Sequence, residues 1–215
     1  MGSEMCIRDS CSLGRSFDRL RPMFLKAISV LGVSALLASC SPEPTSAEKF
    51  MERLSEYCGN AYAGKLVSTD DVDAGFAAES IVMHVRDCSN EEIRIPLHVG
   101  ENRSRTWIVS QTEAGLRLKH DHRHEDGHAD DVNIYGGDSS DDSSETKFVF
   151  PVDDFSKAMF DDAGIPESSQ NTWVMEVESE NDLFAYQMSR PNRMFRLEFD
   201  LSEPVEIPPP AWGHE

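Results

Sequence analysis

Between residues 115 and 131 the chain reads GLRLKHDHRHEDGHADD, which sets four histidines among five acidic residues. Imidazoles and carboxylates ligate zinc and move protons near neutral pH, so their spacing decides which chemistry is in play. Taken as a β-strand, LRLKHDHRH puts Leu116, Leu118, His120, His122 and His124 on one face, and Arg117, Lys119, Asp121 and Arg123 on the other. Successive histidines on that face stand about 6.8 Å apart along the strand, near enough to converge on one ion at ~2.0 to 2.1 Å. His120 and His124 are twice as far apart and do not share a site. A third ligand has to come from His128 or Glu125 past the turn, or from His98 or His84 on neighbouring strands. Three ligands and an open position make a zinc hydrolase, with Glu125 as its base; four closed ligands make a structural site.

The same residues allow two other arrangements. An amphipathic strand that runs out into solvent also carries charge on both faces, and HEDGHADD with its EDG turn has that composition. Alternatively the histidines form a buried polar network with Asp121, Arg105 or the indole of Trp107, and Arg105 and Trp107 then line a ligand site. The choice depends on the turn TEAG. If Thr112 faces Gly115, Trp107 faces His120; if Gly115 is a left-handed bulge, Ile108 does. The HxH spacing resembles that of cupins, but the glutamate and glycine that follow in cupins do not follow here.

Other chemistry is mostly absent. No GxSxG, HExxH, P-loop or Gly-rich dinucleotide fingerprint occurs. Asp138, Asp141 and Asp142 miss the spacing of an EF-hand.

The elements that must position these residues are nearly all strands. YAGKLVS, SIVMHVR, EIRIPLHV, RTWIVSQ, GLRLKHDH, DVNIYG, KFVF, TWVMEVE, LFAYQMS and MFRLEFDL are short, rich in β-branched and aromatic residues, and bounded by turn residues. About ten strands with connections too short for helical crossovers predict a mainly β fold: an antiparallel meander, barrel or sandwich. Pro96 places EIRIPLHV on an edge or at a bulge. Phe50, Leu54, Tyr57 and Cys58 form one apolar helical stripe ended by Gly59, and DDFSKAMFDDAG is a second, inserted helix, capped by Asp153 or Asp154 and closed by Gly164. GGDSSDDSSE, residues 136 to 145, reads as a mobile acidic loop. In outline this domain, residues 47 to 215, resembles the lipocalin-like barrels. GNAYAGK at 59 to 65 is similar to the Gly, aromatic, Gly opening of those families, with Tyr62 where tryptophan is usual. The resemblance implies a ligand carried in a barrel mouth.

Ahead of the domain, residues 23 to 40 read MFLKAISVLGVSALLASC. One lysine, an uncharged run of about eleven residues and small residues before a cysteine make a signal-peptide layout, since a spanning helix needs about twenty. LASC resembles the lipobox of bacterial lipoprotein precursors. That resemblance implies cleavage after Ser39, acyl chains on Cys40 and a membrane-lipid anchor. Ser41 is similar to the sorting signal for an outer membrane, facing periplasm or exterior. SPEPTS then serves as a tether, and residues 1 to 22, which precede the signal peptide, are set aside as a non-native or mis-assigned extension. In such an oxidising compartment Cys58 and Cys88 read as one disulfide.

The formal charge of -19 argues against a nucleic-acid surface, because phosphate binding needs clustered Lys and Arg. The reading is therefore an envelope-anchored lipoprotein whose β-rich domain binds or scaffolds rather than catalyses. Its rivals are a zinc-type enzyme or metal-binding protein on the His120/His122 strand, and an interaction module working through the acidic surface, whose binding would weaken steeply with salt.

Overall fold

A computed structural model of the chain describes residues 42 to 214. The extension at 1 to 22, the signal peptide at 23 to 39 and the lipidation at Cys40 lie outside the described residues. The strands are β1 (Ala61–Leu66), β2 (Ile81–His84), β3 (Asp87–Cys88), β4 (Glu92–Val99), β5 (Asn102–Thr112), β6 (Gly115–His122), β7 (Tyr135–Asp138), β8 (Lys147–Pro151), β9 (Thr172–Glu178), β10 (Leu183–Arg190) and β11 (Arg193–Val205). The helices are α1 (Ser46–Ser55), α2 (Ala74–Ala77) and α3 (Asp154–Asp162).

All the strand pairs are antiparallel, in the order β7-β6-β5-β4-β2-β1-β11-β10-β9-β8, with β3 beside β4. The first strand pairs with the last, Gly64 opposite Phe199, so the meander curls into a nearly closed barrel. Alternation explains the curl. Ile93, Ile95 and Leu97 of β4, Leu116 and Leu118 of β6, and Phe195, Leu197, Phe199 and Leu201 of β11 point into one shared core. That burial removes the apolar face of every long strand from water at once.

The seam falls between β7 and β8, which are consecutive in the chain. Ser140 N–H donates to Val149 O and Asp153 N–H to Gly136 O, both at 2.9 Å. Ser156 of α3 staples the same place, its hydroxyl accepting from Gly136 N–H at 2.8 Å and donating to Gly136 O at 3.2 Å. Only glycine fits beside it, because a β-carbon on Gly137 would lie 1.8 Å from the Pro151 carbonyl oxygen. Gly137→Ala is thus expected to force the two strands apart and to cost about 2 kcal/mol, as overpacking does. A shift in the urea midpoint measures it, and an unchanged midpoint would refute the tight seam.

One end of the barrel is closed by α1. Thr45 and Glu48 form a reciprocal capping box that starts the helix, and Phe50, Met51 and Leu54 are buried by it. The Phe50 ring lies 4.9 Å from that of Phe148. Beyond the helix Gly59 takes a φ of 82°, and Cys58 is joined by a disulfide to Cys88 with Cα atoms 6.3 Å apart. The β5–β6 turn, the β7–β8 loop and the β9–β10 turn share this floor end. The opposite end collects α2, the β4–β5 turn, the β6–β7 loop, α3 and the β10–β11 turn, and forms a mouth. No helix among the described residues is long and apolar enough to cross a membrane.

Several expectations shift in detail. Of DVNIYG only Tyr135 and Gly136 are strand; Asn133 Oδ1 accepts from His122 N–H at 2.7 Å and Ile134 N–H at 2.9 Å, which bends the preceding residues into the loop. Gly136 to Asp138 of the expected acidic loop belong to β7, and the remainder is tied down by bonds such as Ser144 N–H to Lys147 O at 2.7 Å. β4 is an interior strand despite Pro96, which falls between the β3 pairing at Arg94 and the β2 pairing at Leu97, where the ladder is already interrupted. A register shift against β5 follows between Leu97 and Val99. The helix α2 had no cap or periodic pattern to announce it.

Candidate functional site

The β5–β6 hairpin closes directly, Thr112 opposite Gly115, so Trp107 stands opposite His120 and Arg105 opposite His122. These inward-facing pairs form layers. Val109 and Leu118 lie toward the floor, Trp107 and His120 lie midway, and Arg105 and His122 lie at the mouth.

Above the middle layer is a cavity of about 260 Å³. Trp107, Trp173, Tyr186 and Phe195 wall it from the barrel, while Phe76 of α2 and Phe160 of α3 lean over it. Its polar side holds Arg105, His120, His122, Tyr135 and Asp130. The indole of Trp107 stacks on Tyr186 with centroids 4.3 Å apart, and the His120 ring lies parallel to Tyr135 at 4.6 Å.

Both nitrogens of His120 are engaged: Nδ1 is 3.1 Å from the Tyr135 carbonyl and Nε2 is 2.8 Å from the Tyr186 hydroxyl. A carbonyl only accepts, so Nδ1 carries the proton and Nε2 accepts from the tyrosine. His122 Nε2 is 3.2 Å from the Tyr135 hydroxyl. Burial pushes the His120 pKa down to about 3 and, with the charge of Arg105 added, that of His122 down to about 4. Burial likewise pushes the Tyr135 hydroxyl up to about 12 and Tyr186 well above its ordinary value. All four groups are therefore neutral at pH 7. Tyr186→Phe would leave Nε2 of His120 buried without a donor, a loss expected to be about 1 to 3 kcal/mol in urea unfolding. A neutral substitution would refute the bond.

The sequence-predicted residues divide. His120, His122, Arg105 and Trp107 meet at the cavity. His124, Glu125 and His128 are exposed on the turn beyond β6, with His128 beside Asp126 at 3.1 Å. His98 is buried on the pleat opposite Ile95 and Leu97, away from the cavity lining, and burial pushes its pKa down to about 4. Among the described residues no three His, Cys, Asp or Glu side chains are placed to hold a metal. The zinc arrangement is not assembled because hydrogen bonds to tyrosines occupy both nitrogens of His120, and the chain turns away from the barrel after His122.

Asp121, expected as a partner for the histidines, points outward instead. Its Oδ2 accepts from Arg123 Nε at 3.0 Å and lies 2.8 Å from Nε2 of His214. The C-terminal tail reaches it by crossing the outer wall, with Trp212 N–H donating to Arg103 O at 3.1 Å. The true partners, Tyr135 and Tyr186, were missed, although Tyr186 shares an inward pleat with Phe184 in LFAYQMS.

Compared with known protein families, curated proteins and solved structures, the chain matches none. The GNAYAGK segment opens β1, where Tyr62 is buried edge-on against Tyr57 with ring centroids 5.8 Å apart.

Proposed function

We propose that the protein binds a small molecule in the mouth of its barrel, and that it does so as a lipoprotein of the bacterial envelope, held through acylated Cys40 at the outer membrane. The observation that supports binding is the cavity itself: concave, walled by aromatic rings and furnished with a few convergent polar groups, as small-ligand sites are. A stack of neutral, mutually satisfied His–Tyr pairs supplies a rigid base rather than a nucleophile with a free general base, which favours binding over catalysis. The lipobox resemblance supports the anchor.

Solvent extraction of protein purified without detergent, followed by mass spectrometry, tests the binding. A compound carried in stoichiometric amount by the wild type and lost on Trp107→Ala supports it; the same compound retained by Trp107→Ala places it elsewhere and overturns the cavity reading. The intact mass of the mature protein tests the anchor, which an unmodified Cys40 thiol would disprove.

A further inference from the structure

Resting on the cavity reading, we infer that the ligand is a small aromatic carboxylic acid, bound as its anion by Arg105. Arg105 stands in the mouth layer of the cavity, with its guanidinium 5.4 Å from the centroid of the Phe76 ring. Only its Nη1 is held, by Asn102 Oδ1 at 3.1 Å and Ser104 Oγ at 3.2 Å. Among the described residues, Nε and Nη2 have no acceptor and Arg105 has no acidic partner. These two nitrogens form one edge of the guanidinium, the fork that matches the two oxygens of a carboxylate.

The surroundings sharpen the match. The neighbouring imidazoles and phenols are uncharged at pH 7, so they neither compete for the guanidinium nor repel an anion. Asp130 is the acid that shares the lining; its Oδ1 accepts from Val132 N–H at 3.0 Å, and it makes no ion pair with Arg105. Tyr135 and His122 add polar atoms to the same lining. The remaining wall is aromatic and suits a flat ring. Size limits the ring, because about 260 Å³ corresponds to roughly nine waters at ~30 Å³ each, and hence to a ligand of on the order of ten non-hydrogen atoms.

Calorimetric titration of the full mature protein with benzoate and 2-naphthoate, beside the uncharged amides of the same rings, tests the inference. The acids are expected to bind at least tenfold more tightly than the amides. Arg105→Met is expected to abolish that preference, the acids losing at least tenfold more affinity than the amides, and Arg105→Lys, which keeps charge without the fork, to retain part of it. Thermal midpoints of both variants establish that they fold; if Arg105→Met does not, the Lys variant and the acid-to-amide ratio of the wild type decide. Amides that bind as well as acids, or an acid preference that survives Arg105→Met, would overturn the inference while leaving the cavity reading intact. If none of the four probes binds at millimolar concentration, this inference falls, and the extraction experiment alone decides the cavity reading.

Discussion

Lowering the pH from 7 to 5 is expected to cost the fold about 5 to 6 kcal/mol, through three buried histidines. His120 is pushed down to about 3, and His122 and His98 to about 4, by burial first of all. The charges of Arg105 on His122 and of Arg103 on His98 act in the same direction, while Asp130 and Asp121 oppose the shift at His122. Each folded-state value lies below the ~6.5 of an unfolded histidine, so the stability is present above that pH and is lost as the pH falls toward 4. At pH 5 an unfolded imidazole is nearly fully protonated and a folded one is not, which costs about 2 kcal/mol per residue. Urea unfolding at pH 7, 6 and 5 checks this: unfolding should take up between about two and three protons at pH 6 to 5. His98→Leu, which removes the one imidazole of the three outside the cavity, should lower that uptake by about one. An uptake below one proton in the wild type would contradict the burial of these side chains.

Removing the disulfide should produce the next largest loss. Cys58 and Cys88 close a loop spanning 30 positions, and the chain-entropy relation assigns such a link about 3 to 4 kcal/mol. The paired substitution Cys58→Ser with Cys88→Ser is expected to lower the urea midpoint accordingly, and dithiothreitol should have no further effect on it. The loss should be felt first at the floor, because the bridge ties the end of α1 to β3. Faster hydrogen exchange in residues 46 to 55 of the variant would report that loosening. A change below about 1 kcal/mol would show that apolar packing alone holds the helix in place.

Much of the barrel was legible because period-two alternation survives wherever a strand has one buried face. EIRIPLHV and GLRLKHDH match β4 and β6 residue for residue, and the inward set Phe195, Leu197, Phe199 and Leu201 follows from the same rule. Register was harder, since a two-residue turn and a bulged turn differ by one position and both suit TEAG. β7 was legible only in part. Two of its four residues are glycines, whose role is the absence of a side chain at the seam, and such a role leaves no hydrophobic pattern. For the site, Arg105, Trp107, His120 and His122 could be named from one hairpin. Tyr186 lies 66 residues from its partner His120 and reaches it only through closure of the sheet, which no local spacing encodes. Asp121 was misassigned for a simpler reason: in a strand its pleat excludes it from the cavity that both neighbouring histidines face.

The chain enters this body beside the β5–β6 turn, where Thr45 begins α1 against the sealed base. The lipid anchor proposed for Cys40 would pull on the bottom of the vessel and leave its opening directed the other way. Under that proposal a solute arriving from the far side would meet the aromatic lining without passing the point of attachment, and tension would bear on the helix that the Cys58–Cys88 bridge secures.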